Sequence, residues 1–344
     1  MSARKLLKKK IRPIDPLCTR TVESLVTALG DCSFQGRNLA HALDVWEAMC
    51  RDKHCFRVVS LAGAMVPAGM ALLVMRLIEN GLVHAIVCTG ATMAHDICNT
   101  VAQGGQAHYL GNEFGDDLEL REASINRIYD TYLAETDFRK AEQNIVKLLT
   151  KMRYDNVEGS LRVISTMSFC RQLGRLLPGD SIITTAACNG VMIYVPAVSD
   201  SELGLNVLVG NKNQRMGKGI RVVFDTLRDV DFFAGQIVLF KRAGLVSVGG
   251  GVPRNWAQQV YPYLNMKVKD RRVQAEGYHY GVRITTDRPD FGGLSGCTIS
   301  ESKSWGKYEK QAVEASVICD ATIALPILTA ALFERLGRCQ SVGA

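Results

Sequence analysis

The chain has 344 residues, 47% hydrophobic and 22% charged, an ordinary globular balance with enough apolar material for a sizeable core. Its formal net charge of +7 is largely carried by Met1 to Pro13, which hold six basic residues and no acid, so the near-neutral remainder argues against nucleic-acid binding. Eleven cysteines, scattered singly with no Cys-x-x-Cys and no nearby His pair, fit neither a disulfide framework nor a zinc site; they point to reduced thiols, a cytoplasmic setting and no metal.

In chain order, residues 1–14 form a basic arm that reads as a flexible, solvated tail. No apolar stretch follows it, which disfavours a targeting peptide. Leu39, Leu43, Trp46 and Cys50 recur at helical spacing and predict a helix over 34–51. Val58 to Met75 carries no charge and imitates a membrane span. Gly63, Pro67 and Gly69 interrupt it, however, and Arg76 ends it, so it reads as a strand from Arg57 to Leu61, a small-residue loop and a buried helix. A strand over Val83–Thr89 leads into a helix over Gly90–Asn99, and Phe138, Ala141, Ile145, Leu148 and Met152 mark a further helix. Strands are expected at Ser181–Thr185, Ile193–Val198, Gln236–Phe240, Leu245–Val248, Gly281–Thr286 and from Ala315 to Cys319, where an apolar helix to Leu336 begins. This alternation predicts an α/β fold, doubly wound around a mainly parallel sheet, with an N-terminal helical extension. Residues 15–336 are expected to form one domain and 337–344 a tail.

Ligands of such sheets gather at the carboxyl ends of the strands. Gly249-Gly250-Gly251, followed by Val-Pro-Arg-Asn255, is either a tight turn or a phosphate cradle; the third glycine of a dinucleotide fingerprint would fall on Arg254. Thr89 and Gly90 open a turn suited to close approach, in which His95 either bonds a substrate or fixes the turn. Asp200 and Asp320 each follow a strand and can grip ribose hydroxyls or cap the next helix. Lys307 is either a solvated charge among Lys303 and Lys310 or a nucleophile. The second needs a pKa depressed by an apolar wall, which Trp305 could supply across the turn at Gly306.

Taken together, Ser304-Trp305-Gly306-Lys307, Phe34-Gln35, the triple-glycine loop, Phe291-Gly-Gly-Leu-Ser-Gly296, Cys319-Asp-Ala-Thr-Ile-Ala-Leu-Pro326 and Ile125-Asn-Arg-Ile128 resemble the deoxyhypusine synthase family, closest to its bacterial deoxyhypusine-synthase-like branch. The likeness runs from about residue 15 to 335. It implies NAD-dependent transfer of an aminobutyl-like group from a polyamine through a lysine imine, in a homotetramer with no membrane partner. Lys307 falls on the imine-forming lysine, Trp305 on the diamine-packing tryptophan and Glu301 on the amine-binding glutamate. Thr89, Gly90, Asp200, Gly249, Gly250, Gly251, Thr286, Asp287, Asp320 and Ala321 fall at cofactor-binding positions.

The chain also departs from that pattern. Leu205 and Leu294 stand where the family has carboxylates for spermidine's ammonium groups. Ala94 and His95 replace paired glutamates, Asn255 replaces a histidine, and Gly63-Ala64 replaces a Ser-Asn pair that touches cofactor. An unpaired ammonium buried against leucine would cost several kcal/mol, so either Glu202, Asp287 or Asp290 compensates or the substrate differs. His95 and Asn255 then form a neutral, polar substrate lining. A homospermidine-synthase-like reaction with a small amine acceptor is the leading expectation. The alternatives are true deoxyhypusine synthesis on the hypusine-bearing translation factor, and an inactive paralogue acting as a structural or regulatory subunit.

Overall fold

A computed structural model describes residues 7, 9–213, 217–267 and 275–338. Most of the basic arm and of the 337–344 tail lies outside the described residues. Among those described, six strands form one all-parallel sheet: β1 (Cys55–Leu61), β2 (Ala85–Cys88), β3 (Met192–Tyr194), β4 (Arg242–Val248), β5 (Tyr278–Thr285) and β6 (Tyr308–Ile318). Their spatial order is β6-β5-β4-β1-β2-β3. The chain winds outward from β1 through β2 to β3, then returns to the other side of β1 and winds outward again. This places a topological switch point between β1 and β4, which pair from Cys55↔Arg242 to Leu61↔Val248.

The sheet is covered on both faces, and the alternation of side chains along its strands shows it. Val59, Leu61, Ile86, Cys88, Val246 and Val248 join one apolar cluster, completed by Leu43 and Trp46 of the helix Phe34–Arg51 and by Leu325 and Leu328 of the helix Ala321–Arg335. Their neighbours Phe56, Val58, Ala85, Val87 and Leu245 join the other, with Phe233 and Ile237 of the helix Thr226–Leu239 and Val260 and Leu264 of the helix Val252–Lys267. Two-sided burial explains why these strands read as continuous apolar runs. No described helix is long and apolar enough to cross a membrane.

Two expected strands are helices. Ser181–Thr185 opens the helix Ile182–Asn189, where Ser181 and Thr184 cap one another reciprocally and the buried Asp96 carboxylate accepts from the Ile182 and Ile183 amides, both at 2.8 Å. Gln236–Phe240 is the end of the helix Thr226–Leu239. A short β-branched run reads the same in a buried strand and a buried helix, and here capping decided between them. Two small sheets also went unread. One is antiparallel and joins His108–Leu110, Thr131–Ala134 and Ile125–Ile128. The other pairs Leu161–Ile164 with Asn156–Glu158 and Arg221–Phe224.

Candidate active site

The predicted cofactor residues all follow the carboxyl ends of strands of the sheet: Thr89 and Gly90 after β2, Asp200 beyond β3, Gly249 to Gly251 after β4, Thr286 and Asp287 after β5, and Asp320 and Ala321 after β6. Their local chemistry differs. A Cβ on Gly90 would collide with the Ser201 hydroxyl, and one on Gly250 would collide with Ser295, so both glycines admit neighbouring loops of the chain itself. Gly251 is different: at φ +69 it has no heavy atom within 4 Å of an added Cβ, leaving an open cradle at the start of the helix Val252–Lys267. Thr89 and Asp320 serve as helix caps. The Thr89 hydroxyl accepts from the Thr92 amide at 3.2 Å and Asp320 Oδ1 accepts from the Thr322 amide at 2.7 Å. These bonds, with the Thr322 hydroxyl foremost, hold the Asp320 carboxyl below the usual range. Asp200, Thr286 and Asp287 are exposed, and the Ser295 hydroxyl donates to Asp287 Oδ2.

Lys307 lies immediately before β6, and its carbonyl accepts from the Tyr278 amide of β5 at 3.0 Å. The left-handed turn at Gly306, φ +67, separates it from Trp305. Its side chain runs back towards the glycine loop, where Nζ donates to Asn255 Oδ1 at 2.8 Å, in the first turn of the helix that follows Gly251. Lys307 is only 8% exposed. The Trp305 indole stands 5.7 Å from Nζ at its ring centroid, while its own outer face is open, at 66% exposure. Burial lowers the Lys307 pKa below that of an ordinary lysine; Cys297 opposes the shift, Arg254 adds to it and Glu301 opposes it. Glu301 is exposed, in the short helix Ile299–Ser304 capped by Thr298, and so sits beside the amine without an ion pair to it.

His95 belongs to a separate group. Its Nδ1 is 3.1 Å from His108 Nε2, and its ring meets Phe138. Burial lowers the pKa of both imidazoles, that of His108 to about 4, while Glu202 raises that of His95. His108 also lines a cleft of about 380 Å³ with Pro67, Gly69, Asp130 and Thr322. No described contact joins His95 to Lys307. Leu205 and Leu294 are about half exposed, at 51% and 45%, as open apolar surface.

Two residues that the sequence reading did not offer as site residues tie the helix after the glycine loop and β5 to the 287–295 loop. Arg254 Nη2 donates to the Leu294 carbonyl at 3.3 Å, and Arg283 of β5 donates to the Ser295 and Asp287 carbonyls at 2.8 and 3.4 Å. The signal for Arg283 was a charge inside an otherwise apolar central strand, Gly281 to Thr285.

Comparison with known proteins agrees with this architecture. The family model for deoxyhypusine synthase matches residues 24–332. A "Probable deoxyhypusine synthase 2" of Methanosarcina acetivorans is 35% identical over 94% of this chain and 89% of its own length, and one of Archaeoglobus fulgidus is 37% identical over 86% and 92%. A "Deoxyhypusine synthase-like protein" of Chlorobaculum parvum is 30% identical over 94% and 89%. A crystal structure from Entamoeba histolytica assigned to deoxyhypusine synthase superposes with a TM-score of 0.59, 17% identity and coverage of 94% and 97%, a likeness of fold.

Proposed function

The chain belongs to the deoxyhypusine synthase family, and from that premise we propose an NAD-dependent transferase that moves an aminoalkyl group, through an imine on Lys307, onto a small amine. The observation that carries this reading is the Lys307 amine itself: buried, beside an indole, and bonded to a neutral amide oxygen rather than to a carboxylate. A carboxylate partner would hold the nitrogen as ammonium, whereas Asn255 can orient it as a free amine.

In the transfer step, the Lys307 nitrogen adds to the carbon of a substrate C=N bond, and that carbon's bond to the departing amine breaks as the amine takes up a proton. The acceptor's amine then adds to the Lys307 imine carbon, and Lys307 leaves as free amine. Trp305 lines the alkyl chain and Glu301 holds its distal ammonium. NAD, when bound, supplies hydride removal from the donor and hydride return to the product. The residues present fit the dinucleotide best at Gly251, whose open cradle at a helix start can take phosphate, with Asp200, Thr286, Asp287, Asp320 and Ala321 along the same edge.

Leu205 and Leu294 support a small acceptor and a donor with fewer ammonium contacts than spermidine, as in homospermidine formation. The names of the archaeal relatives favour a second reading, transfer to a lysine of the hypusine-bearing translation factor. Self-association into a homotetramer belongs to either reading. The test incubates the protein with NAD, spermidine and putrescine, adds borohydride and maps the adduct by peptide mass. Adduct on Lys307 and a homospermidine product are expected. Product formation only with the translation factor would select the second reading, and unimpaired turnover by Lys307→Ala would end both.

A further inference from the structure

Where β5 and β6 begin, at the end of the sheet away from the triple-glycine loop, three side chains with metal-binding chemistry converge. Ligand atoms of Glu276, His279 and Glu309 all lie within 4.8 Å of one another. Two local features bring them together. At Gly277, φ +101, an added Cβ would meet the Tyr308 and Glu309 backbone at 2.5 to 2.7 Å, so glycine lets the segment carrying Glu276 pass close against β6. Tyr278 pairs with Tyr308 but the next pair is Tyr280 with Val313, so β6 bulges opposite His279, directly after Glu309. His279 Nε2 stands 3.5 Å from Glu309 Oε2, beyond the usual reach of a hydrogen bond. Two ligands on one tetrahedral zinc stand about 3.4 Å apart, given metal–ligand bonds of about 2.1 Å.

Two carboxylates this close repel one another unless a cation joins them. Among the described residues neither Glu276 nor Glu309 pairs with a lysine or arginine, and the buried His279 Nδ1 has no hydrogen-bond partner. Glu276 and His279 also line a cleft of about 320 Å³, with Leu264 in the last turn of the helix Val252–Lys267. A helix's carbonyl end favours a cation, and the cleft leaves room for water. Lys241 and Arg242 border the same cleft, but Lys241 bonds neither glutamate and Arg242 is taken up by Asp52. From this constellation we infer that Glu276, His279 and Glu309 form a site for a divalent first-row metal ion. Zinc fits the donors: one imidazole nitrogen and two carboxylate oxygens, with water from the cleft as the fourth ligand. The two carboxylates cancel the charge of the ion. Bound there, the metal ties the start of β5 to the start of β6 beside the bond from the Tyr278 amide to the Lys307 carbonyl, and so braces the backbone that carries Lys307. The expectation of no metal came from the spacing of the cysteines and does not bear on a site that uses none.

The test uses full-length protein stripped with a chelator, its accessible thiols carboxamidomethylated so that cysteine cannot supply the ligands. It is titrated with Zn²⁺ at neutral pH by calorimetry, and separately with Ca²⁺. One equivalent of Zn²⁺ per chain is expected, with a rise in melting temperature and much weaker binding of Ca²⁺. Glu276→Gln and Glu309→Gln should each weaken Zn²⁺ binding at least about tenfold, and His279→Ala should abolish it. Glu276 is exposed, so its variant reads the site even where a change at His279 disturbs folding. Absence of Zn²⁺ binding, equal affinity for Ca²⁺, or Zn²⁺ binding that survives both glutamine variants would overturn the inference. None of these outcomes bears on the imine at Lys307, which borohydride trapping reads separately.

Discussion

The sheet carries arginines in two settings. At the amino end of β4, Arg242 grips Asp52 through two nitrogens, Nη2 at 2.9 Å, with the Tyr280 hydroxyl completing the carboxylate at 3.2 Å. The pairing, Arg242 first, drives the Asp52 pKa down to about 2. Arg254 and Arg283 are buried more deeply, and among the described residues neither forms an ion pair with a carboxylate. Residues of one type therefore do opposite things in one fold. The first arrangement joins the segment before β1 to β4 and favours the folded chain; the second leaves buried charge without a carboxylate partner among the described residues and is expected to cost stability.

The sharpest way to break this contrast is at the lysine. Lys307→Ala should abolish the borohydride-trapped adduct and lower turnover on the order of 10³-fold, measured as amine product per enzyme. Lys307→Met should also raise the melting temperature, and the sign follows from linkage. The buried lysine's pKa is lowered from 10.5, so below that value the unfolded chain binds more protons than the folded one. The resulting penalty is present at neutral pH and fades as pH rises towards 10.5. A melting point unchanged by Lys307→Met would mean that the amine is not held under strain.

Next comes the pair of arginine settings. Arg242→Met leaves Asp52 without its partner and should be destabilising, read as a fall in the denaturation midpoint. Arg283→Met should be neutral or stabilising by about 1 kcal/mol, because an uncompensated buried charge is replaced by apolar volume. If both substitutions destabilised equally, the distinction between the two settings would fail.

Much of the scaffold was legible in the sequence, because periodicity and end signals agreed. The helix expected over 34–51 is found at Phe34–Arg51, and the runs after Arg57, Val83, Leu245 and Gly281 are strands of the central sheet. The Ser181 and Gln236 runs were misread because apolar composition alone does not separate helix from strand. Strand order was not legible either, since it depends on which distant edges pair. Of the site, the residue types left Lys307 open between a solvated charge and an amine walled by Trp305, and the family resemblance favoured the second. The Asn255 contact could not, because it joins residues 52 positions apart. Gly90 and Gly250 were read as cofactor positions, and the fold adds a second demand on each, since Ser201 and Ser295 pack where a Cβ would stand.

The smallest expected effect concerns acid. Asp52 has its folded pKa depressed to about 2 from 3.8, so its contribution to stability is complete above about pH 4 and is lost as pH falls through 2. Arg242 is partly exposed, which screens the pair and keeps that contribution small. Wild type should therefore lose stability between pH 4 and 2 more steeply than Asp52→Asn, as followed by urea midpoints at each pH. Arg254→Met should run parallel to wild type across this interval, because no carboxylate titrates against it. A steeper acid slope for wild type than for Arg254→Met would reveal a carboxylate partner for Arg254 and collapse the difference between the paired and the unpaired guanidiniums.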